Sequence, residues 1–240
     1  MVMPTRRLPK ATLLDLDDTI LDDSGNVAQC WREACEAHRT ELRSIEPAAL
    51  HEAIDRSRTW FWADPVRHRD GRLDMPAARR EIVRIALGDF GVEAPPLAER
   101  IAEAYGSRRD RGVQPLAHAI ETVRWLRERG CKLALLTNGN GAVQRTKVDR
   151  FRLAELFEVV LIEGELGYGK PDPRVYRLAL DGLGMAPAEA WMVGDNIEWD
   201  VAAPQRLGIH GIWIDVRGAG PPADSPRPDR IIRSLAELRS

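Results

Sequence analysis

Apolar and polar positions alternate along this chain in two different rhythms. The stretch Ala11-Thr12-Leu13-Leu14-Asp15-Leu16-Asp17-Asp18-Thr19 is a short apolar run that ends abruptly in carboxylates and a threonine. That is the pattern of a buried strand whose C-terminal end emerges at a site. From about Val27 to Gly112 no strand candidate occurs. Segments 27–43, 47–62, 75–90 and 96–111 carry helical spacing, and prolines at 47, 65, 76, 95 and 96 punctuate them. The spacing predicts a bundle of about four helices.

After Gly112 helices and apolar strands alternate. Helix 116–129 ends at Gly130, and the apolar strand Lys132-Leu133-Ala134-Leu135-Leu136-Thr137 stops at Asn138-Gly139. Helix 142–155 precedes strand 158–162, helix 173–183 precedes strand 190–194, and helix 198–207 precedes strand 211–215. A Gly/Pro-rich loop runs from Arg217 to Pro228, and Arg230-Ile231-Ile232 is a candidate edge strand. Strands that are apolar throughout and alternate with helices indicate a parallel sheet covered on both faces. The predicted fold is α/β: a doubly wound, Rossmann-like parallel core, residues 1–22 and 113–240, interrupted after its first strand by a helical insertion, residues 23–112. In such sheets the ligand crevice lies beyond the carboxyl ends of the strands. Asp15, Thr137 and Asp195 all stand where a strand gives way to a loop.

Composition narrows the functional classes. With 240 residues, 44% hydrophobic and 30% charged, the chain is long enough for a sizeable core plus an insertion. Thirty-five basic and 37 acidic side chains leave a net charge of −2, so no global positive field gathers nucleic acid or anionic membrane. Cys30, Cys35 and Cys131 lack metal-ligand spacing, and their odd number argues against a disulfide scaffold. The opening MVMPTRRLPK does not lead into the apolar region of a signal peptide, and no run reaches the length of a membrane span. The expectation is a cytoplasmic protein with no nucleic-acid and no membrane partner.

Four short motifs occupy strand ends: Asp15-Leu16-Asp17-Asp18-Thr19, Leu136-Thr137-Asn138-Gly139, Gly169-Lys170-Pro171-Asp172, and Gly194-Asp195-Asn196-Ile197-Glu198-Trp199-Asp200. Asp15, Asp17 and Asp195 on neighbouring strand ends would repel one another and would not all ionise without a cation. Magnesium suits them, being held typically by a few carboxylates, waters and a phosphate. Lys170 and Thr137 add a positive charge and a hydroxyl donor suited to phosphoryl oxygens.

Taken in order, these motifs resemble the haloacid dehalogenase-like hydrolases, and in particular their phosphatase branch with a helical cap inserted after the first motif. The resemblance covers nearly the whole chain, and its strength lies in all four motifs occurring together. It implies that Asp15 is the nucleophile and that an aspartyl-phosphate forms on it. Asp17 is then the general acid and base. Thr137 holds a phosphoryl oxygen with Asn138 and its backbone amide nearby, and Lys170 neutralises the nucleophile and the transferring group. Mg²⁺ is bound by Asp15, Asp195 and the backbone carbonyl of Asp17, while Asn196 and Asp200 support the loop or Lys170. The implied substrate is a small phosphorylated metabolite, and the implied assembly a monomer or homodimer. The family's first motif often has glycine where this chain has Asp18. The dehalogenases that name the family lack the second aspartate, so Asp17 favours phosphate esters over carbon–halogen bonds. A phosphomutase, a haloacid dehalogenase and a non-catalytic binding protein are the alternatives.

The insertion is harder to assign. Trp60-Phe61-Trp62 and Arg67-His68-Arg69 either line a substrate pocket or pack between helices with the basic residues solvated. Trp31, Arg32 and Cys35 are open to a substrate contact or a core role. The run Arg108-Arg109-Asp110-Arg111 reads as a solvated hinge, and His38, His51, His118 and His210 show no ligand pattern.

Overall fold

The computed structural model describes residues 8–239; residues 1–7 of the opening MVMPTRRLPK, on which the expectation of no signal peptide rests, lie outside the described residues. The strands are β1 (Ala11–Leu14), β2 (Leu21–Asp22), β3 (Gln114–Pro115), β4 (Lys132–Thr137), β5 (Val159–Ile162), β6 (Ala190–Gly194), β7 (His210–Ile214) and β8 (Arg230–Ile232). Six of them form one sheet in the order β5-β4-β1-β6-β7-β8, and every neighbouring pair is parallel. Arg230-Ile231-Ile232 thus does join the sheet, as its last strand beside β7. β2 and β3 pair separately and antiparallel, with Leu21 opposite Pro115 and Asp22 opposite Gln114. They close the gap where the chain leaves and re-enters the core.

Burial explains the composition of the central strands. Ala11, Leu13 and Leu14 on β1, Leu133 through Leu136 on β4, and Met192 and Val193 on β6 are all sealed from solvent. A strand covered on both faces has no reason to alternate. Chain order reverses beside β1, with β4 and β5 on one side and β6 to β8 on the other. The carboxyl end of β1 is therefore the topological switch point, where open parallel sheets leave a crevice.

The chain separates into two compact units, one comprising the chain through Asp22 together with Gln114 onward, the other Asp23–Val113. The second unit is all-helical: α1 (Val27–Ala37), α2 (Arg39–Leu42), α3 (Pro47–Ala63), α4 (Pro65–Leu73), α5 (Met75–Gly88) and α6 (Pro95–Gly112). Prolines open α3, α4 and α6 and sit second in α5, where a missing N–H costs nothing because first-turn amides have no intrahelical acceptor. Leu50, Ile54, Ile82, Val83 and Ile101 fill the centre of this unit. The ring of Trp31 stacks on Tyr105 with centroids 3.7 Å apart. Trp31 and Cys35 are core residues of this unit, while Arg32 is exposed.

Residues 65–73 are helical although their spacing gave no such signal, because Arg67, His68, Arg69, Asp70 and Arg72 leave α4 almost without apolar positions. What starts α4 is the Asp64-Pro65 pair: Asp64 accepts hydrogen bonds from the backbone N–H groups of Val66 (3.0 Å) and Arg67 (2.8 Å). Arg67 then folds back to donate to the carbonyls of Trp60 (2.8 Å) and Phe61 (3.3 Å), its guanidinium 3.6 Å from the Trp60 ring centroid. Phe61 and Trp62 meet edge to face, as do Trp62 and His68. Arg67 thus engages Trp60, and His68 engages Trp62, while Trp60 stays half exposed and Arg69 pairs with Asp70. Arg109 departs from the solvated hinge expected of it: it is largely buried and paired with Asp23.

The core helices are α7 (Ala119–Glu128), α8 (Gly141–Arg150), α9 (Glu163–Leu166), α10 (Pro173–Leu183) and α11 (Ala203–Gln205). Two are broken where their spacing predicts a continuous helix. The predicted helix 142–155 breaks at Arg152, whose φ of 53° lies in the left-handed region, and resumes as a 3₁₀ turn at Leu153–Leu156. The predicted helix 198–207 is a π-helical turn, Ile197–Ala202, followed by α11. Pro204 has no N–H to return to the carbonyl four residues back.

Candidate active site

β1 delivers Asp15 to the sheet edge with its backbone fixed, its N–H donating to the carbonyl of Val193 at 3.0 Å. The chain then folds into a tight turn in which the N–H groups of Ile20 and Leu21 both donate to the Leu16 carbonyl at 2.9 Å, and that of Asp18 to Leu21 at 2.7 Å. The turn places Asp18 at φ 55°. Glycine adopts that conformation freely and aspartate tolerates it, whereas a β-branched residue does not. Asp18→Val is therefore expected to cost about 1–3 kcal/mol, while Asp18→Gly stays within about 1 kcal/mol of the parent. Urea unfolding reads both, and equal stability of the two variants would remove the backbone as the reason for this residue type.

Behind Asp15 lies Lys170, only 2% exposed. Its Nζ is 2.7 Å from Asp15 Oδ1 and 2.6 Å from Asp200 Oδ1. Burial alone would lower the lysine pKa, but the charges of Asp15 and Asp200 outweigh it and hold it above its ordinary range. Asp15 is pushed up to about 6, chiefly by burial, against the pull of Lys170 and with the repulsion of Asp200 added. The second oxygen of Asp15 accepts from Thr19 Oγ1 at 3.1 Å.

The β6 end supplies the other carboxylates. Asp200 Oδ2 accepts the backbone N–H of Asn196 at 3.0 Å, and Asn196 Oδ1 accepts that of Trp199 at 3.0 Å, so the loop is tied across its own mouth. Gly194 must lack a side chain, since a Cβ there would lie 2.3 Å from the Asp200 carboxylate. Tyr176 donates its hydroxyl to the Trp199 carbonyl, and Trp213 Nε1 donates to the Asp195 carbonyl at 2.7 Å. Solvent reaches part of the Asp195 side chain. Even so, desolvation of its carboxylate, then the charges of Asp15, Asp200 and Asp18, push it up to about 8.

One oxygen from each of Asp15, Asp195 and Asp200 lies within 4.8 Å of the others. Three carboxylates here face one ammonium, and two of them resist ionisation. Hard oxygen donors converging with excess negative charge suit a magnesium ion, which such a set would hold with water completing the shell.

The remaining sequence-derived residues separate into two groups. Thr137, at the end of β4, accepts from Gln144 Nε2 at 2.5 Å, so its hydroxyl proton can be given to another acceptor. Asn138 turns its side chain to the Lys170 backbone, accepting its N–H (2.9 Å) and donating to its carbonyl (2.6 Å). That amide positions the Lys170 loop, and what Asn138 offers a ligand is its main chain. The side chain of Asp17 stands apart from the Asp15–Asp195–Asp200 set and is turned toward α8. Its Oδ1 is 2.7 Å from Lys147 Nζ, and its Oδ2 accepts from Gln144 Nε2 at 2.8 Å. Thr19, Gln144 and Lys147 were not singled out by their sequence context. Asp15-x-x-x-Thr19 and the three-residue spacing of Gln144 and Lys147 behind Thr137 are visible signals only once the strand ends are known to converge.

A family model described as haloacid dehalogenase-like hydrolase matches residues 9–208. The phosphoserine phosphatase of Thermus thermophilus is 36% identical over 246 aligned residues, covering 95% of this chain and 97% of that protein. Among solved structures, the 2-haloacid dehalogenase of Pseudomonas syringae superposes with a TM-score of 0.62 at 29% identity, covering 97% of each chain. The HAD-hydrolase YfnB of Bacillus subtilis, bound to magnesium, superposes with a TM-score of 0.74 at 19% identity, again over 97% of each chain, a likeness of fold. With strand ends that gather the four motifs at the switch point and a family match spanning most of its length, the chain belongs to the haloacid dehalogenase-like hydrolases.

Proposed function

We propose that this enzyme is a magnesium-dependent phosphatase that hydrolyses a small phosphomonoester through an aspartyl-phosphate on Asp15. The observation that carries the reading is the separate provisioning of two aspartates two residues apart. Asp15 is buried against Lys170, whereas Asp17 is half-buried and held by Lys147 and Gln144. One is placed as a nucleophile screened by a fixed positive charge, the other as a carboxylate that can exchange a proton. The 36% identity to a phosphoserine phosphatase supports the phosphate ester as substrate class.

In the first step an Asp15 carboxylate oxygen bonds to phosphorus and the ester P–O bond breaks. The departing alkoxide takes a proton from Asp17. In the second, Asp17 accepts a proton from water as that water's oxygen bonds to phosphorus, and the acyl-phosphate bond breaks to restore Asp15. Thr137, by its hydroxyl, and Lys170 stabilise charge on the transferring oxygens, and their prior fixing by Gln144, Asn138 and Asp200 removes reorganisation from the barrier. Magnesium would be held by carboxylate oxygens of the Asp15–Asp195–Asp200 cluster together with the Asp17 carbonyl, and when bound would supply further charge neutralisation. The helical unit is read as the cap that selects among phosphorylated metabolites.

The likeness to a 2-haloacid dehalogenase favours a second reading, carbon–halogen hydrolysis. A halide leaves without needing a proton, so that chemistry gives Asp17 and its donors no task in the first step. The test is release of inorganic phosphate from a panel of phosphomonoesters that includes phosphoserine, with magnesium and with chelator, beside halide release from 2-chloropropionate. Magnesium-dependent phosphate release is the expected result. Halide release with no phosphate release from any ester would replace this reading by the second.

A further inference from the structure

The residues around Asp17 go further than a list of acids and bases. Gln144 and Lys147 are three residues apart on α8, hence on one helix face. Both are buried, which is unusual for a glutamine and a lysine on a helix. Gln144 Nε2 carries two hydrogens, and the two acceptors in reach are Asp17 Oδ2 at 2.8 Å and Thr137 Oγ1 at 2.5 Å. Lys147 Nζ lies 2.7 Å from Asp17 Oδ1. Each oxygen of the Asp17 carboxylate therefore has its own donor from the same rigid helix, and the plane of that carboxylate is fixed. Asp15 draws on a different set, Lys170 and Thr19. The two aspartates are supported by two independent lysines.

We infer that Lys147, aided by Gln144, positions Asp17 for proton transfer, and that Lys147 serves the leaving-group step without serving the attack by Asp15, whereas Gln144 also holds Thr137. This rests on the phosphatase reading above. A carboxylate held by one donor can rotate about its χ2 axis. Held by two, it keeps one orientation toward the oxygen it must protonate, which is the geometric condition for general acid catalysis. A salt bridge that merely fastened α8 to the first-motif loop would instead support both aspartates alike.

Esters that differ in their need for a proton separate these roles. Nitrophenolate departs with little help, whereas an alkoxide requires the acid. Because kcat/KM reports only the steps through formation of the phosphoenzyme, it isolates the leaving-group step from the later attack of water. Lys147→Met is expected to lower kcat/KM for an alkyl ester, glycerol phosphate, by about 10²-fold, and that for p-nitrophenyl phosphate by no more than about threefold. Gln144→Leu should lower both esters, because it also frees Thr137, with the larger loss on the alkyl ester, and Lys147→Arg should restore most of the alkyl activity. The thermal unfolding midpoint is read for each variant; if Lys147→Met does not fold, Gln144→Leu and Lys147→Arg carry the comparison. Equal losses on the two esters, or no loss on either, would overturn the inference while leaving the phosphatase reading in place. A wild-type enzyme that releases phosphate from neither ester would overturn both.

Discussion

Asp15→Asn is expected to reduce phosphate release by about 10⁴-fold or more while the protein stays folded. The amide keeps the volume of the carboxylate: its oxygen can still accept from Lys170, and its NH2 can donate to Thr19 Oγ1, which is 3.1 Å from the native Oδ2. What it lacks is a nucleophilic charge. No other carboxylate can substitute from the same place: Asp200 is tied to Lys170 and the Asn196 amide, and Asp17 is held by α8. The substitution also removes one negative charge from a cluster that has too many, so stability in chelator should be unchanged or slightly higher. Phosphate release under saturating magnesium and a urea unfolding curve check the two halves separately. Retention of more than a tenth of the parent's activity would remove Asp15 from the role of nucleophile.

Lys170→Met should be damaging in a different way. Methionine matches the length and apolar stem of lysine but leaves Asp15 and Asp200 facing each other with no cation between them. Breaking a buried ion pair by deleting one partner costs about 3–5 kcal/mol, because the other charge stays buried. The loss should appear in urea unfolding at neutral pH with chelator present. Turnover should fall by about 10²–10³-fold as well, since a preorganised charge next to the transferring group is gone. A variant within 1 kcal/mol of the parent would mean that the Asp15–Lys170–Asp200 triad carries little net electrostatic weight. Asp200→Asn offers the complementary case, easing the repulsion on Asp195 while retaining a hydrogen-bond acceptor for the lysine.

Much of this architecture was legible in the sequence, for a physical reason. A strand buried on both faces must be apolar throughout, so an apolar run that stops at Asp15, Thr137 or Asp195 announces both the strand and the edge where ligands bind. Helix signals were less complete where the chain depends on capping chemistry in place of an apolar face. α4 has few residues to bury and is set by Asp64 and Pro65. The break at Arg152 and the π turn before Pro204 are backbone events that hydrophobic spacing does not register.

Site residues followed the same division. Those in the loops directly after strands stood out, because polar groups there interrupt apolar runs. Gln144 and Lys147 did not, since on a helix with many charged neighbours they look like a solvated face. Only the turn from β4 into α8 buries them against an aspartate well over a hundred positions earlier. Arg109 is similar: in a run of charges it reads as exposed, yet Asp23, far away in sequence, draws it inward. Pairings between distant segments are what one sequence conceals. Asn138 shows a subtler limit. Its motif suggested a ligand contact, but its side chain satisfies the backbone of Lys170, and a motif does not state which half of a residue is used.

The central event of the proposed reaction is a covalent phosphoryl group on Asp15. The direct measurement is rapid acid quenching of the enzyme during magnesium-supported turnover of a phosphomonoester bearing a radiolabelled phosphoryl group, followed by peptide mapping. Transient label is expected on the peptide containing Asp15, absent from Asp15→Asn and absent in chelator. Steady release of phosphate with no protein-bound label at any quench time, or label on a peptide that excludes Asp15, would contradict it.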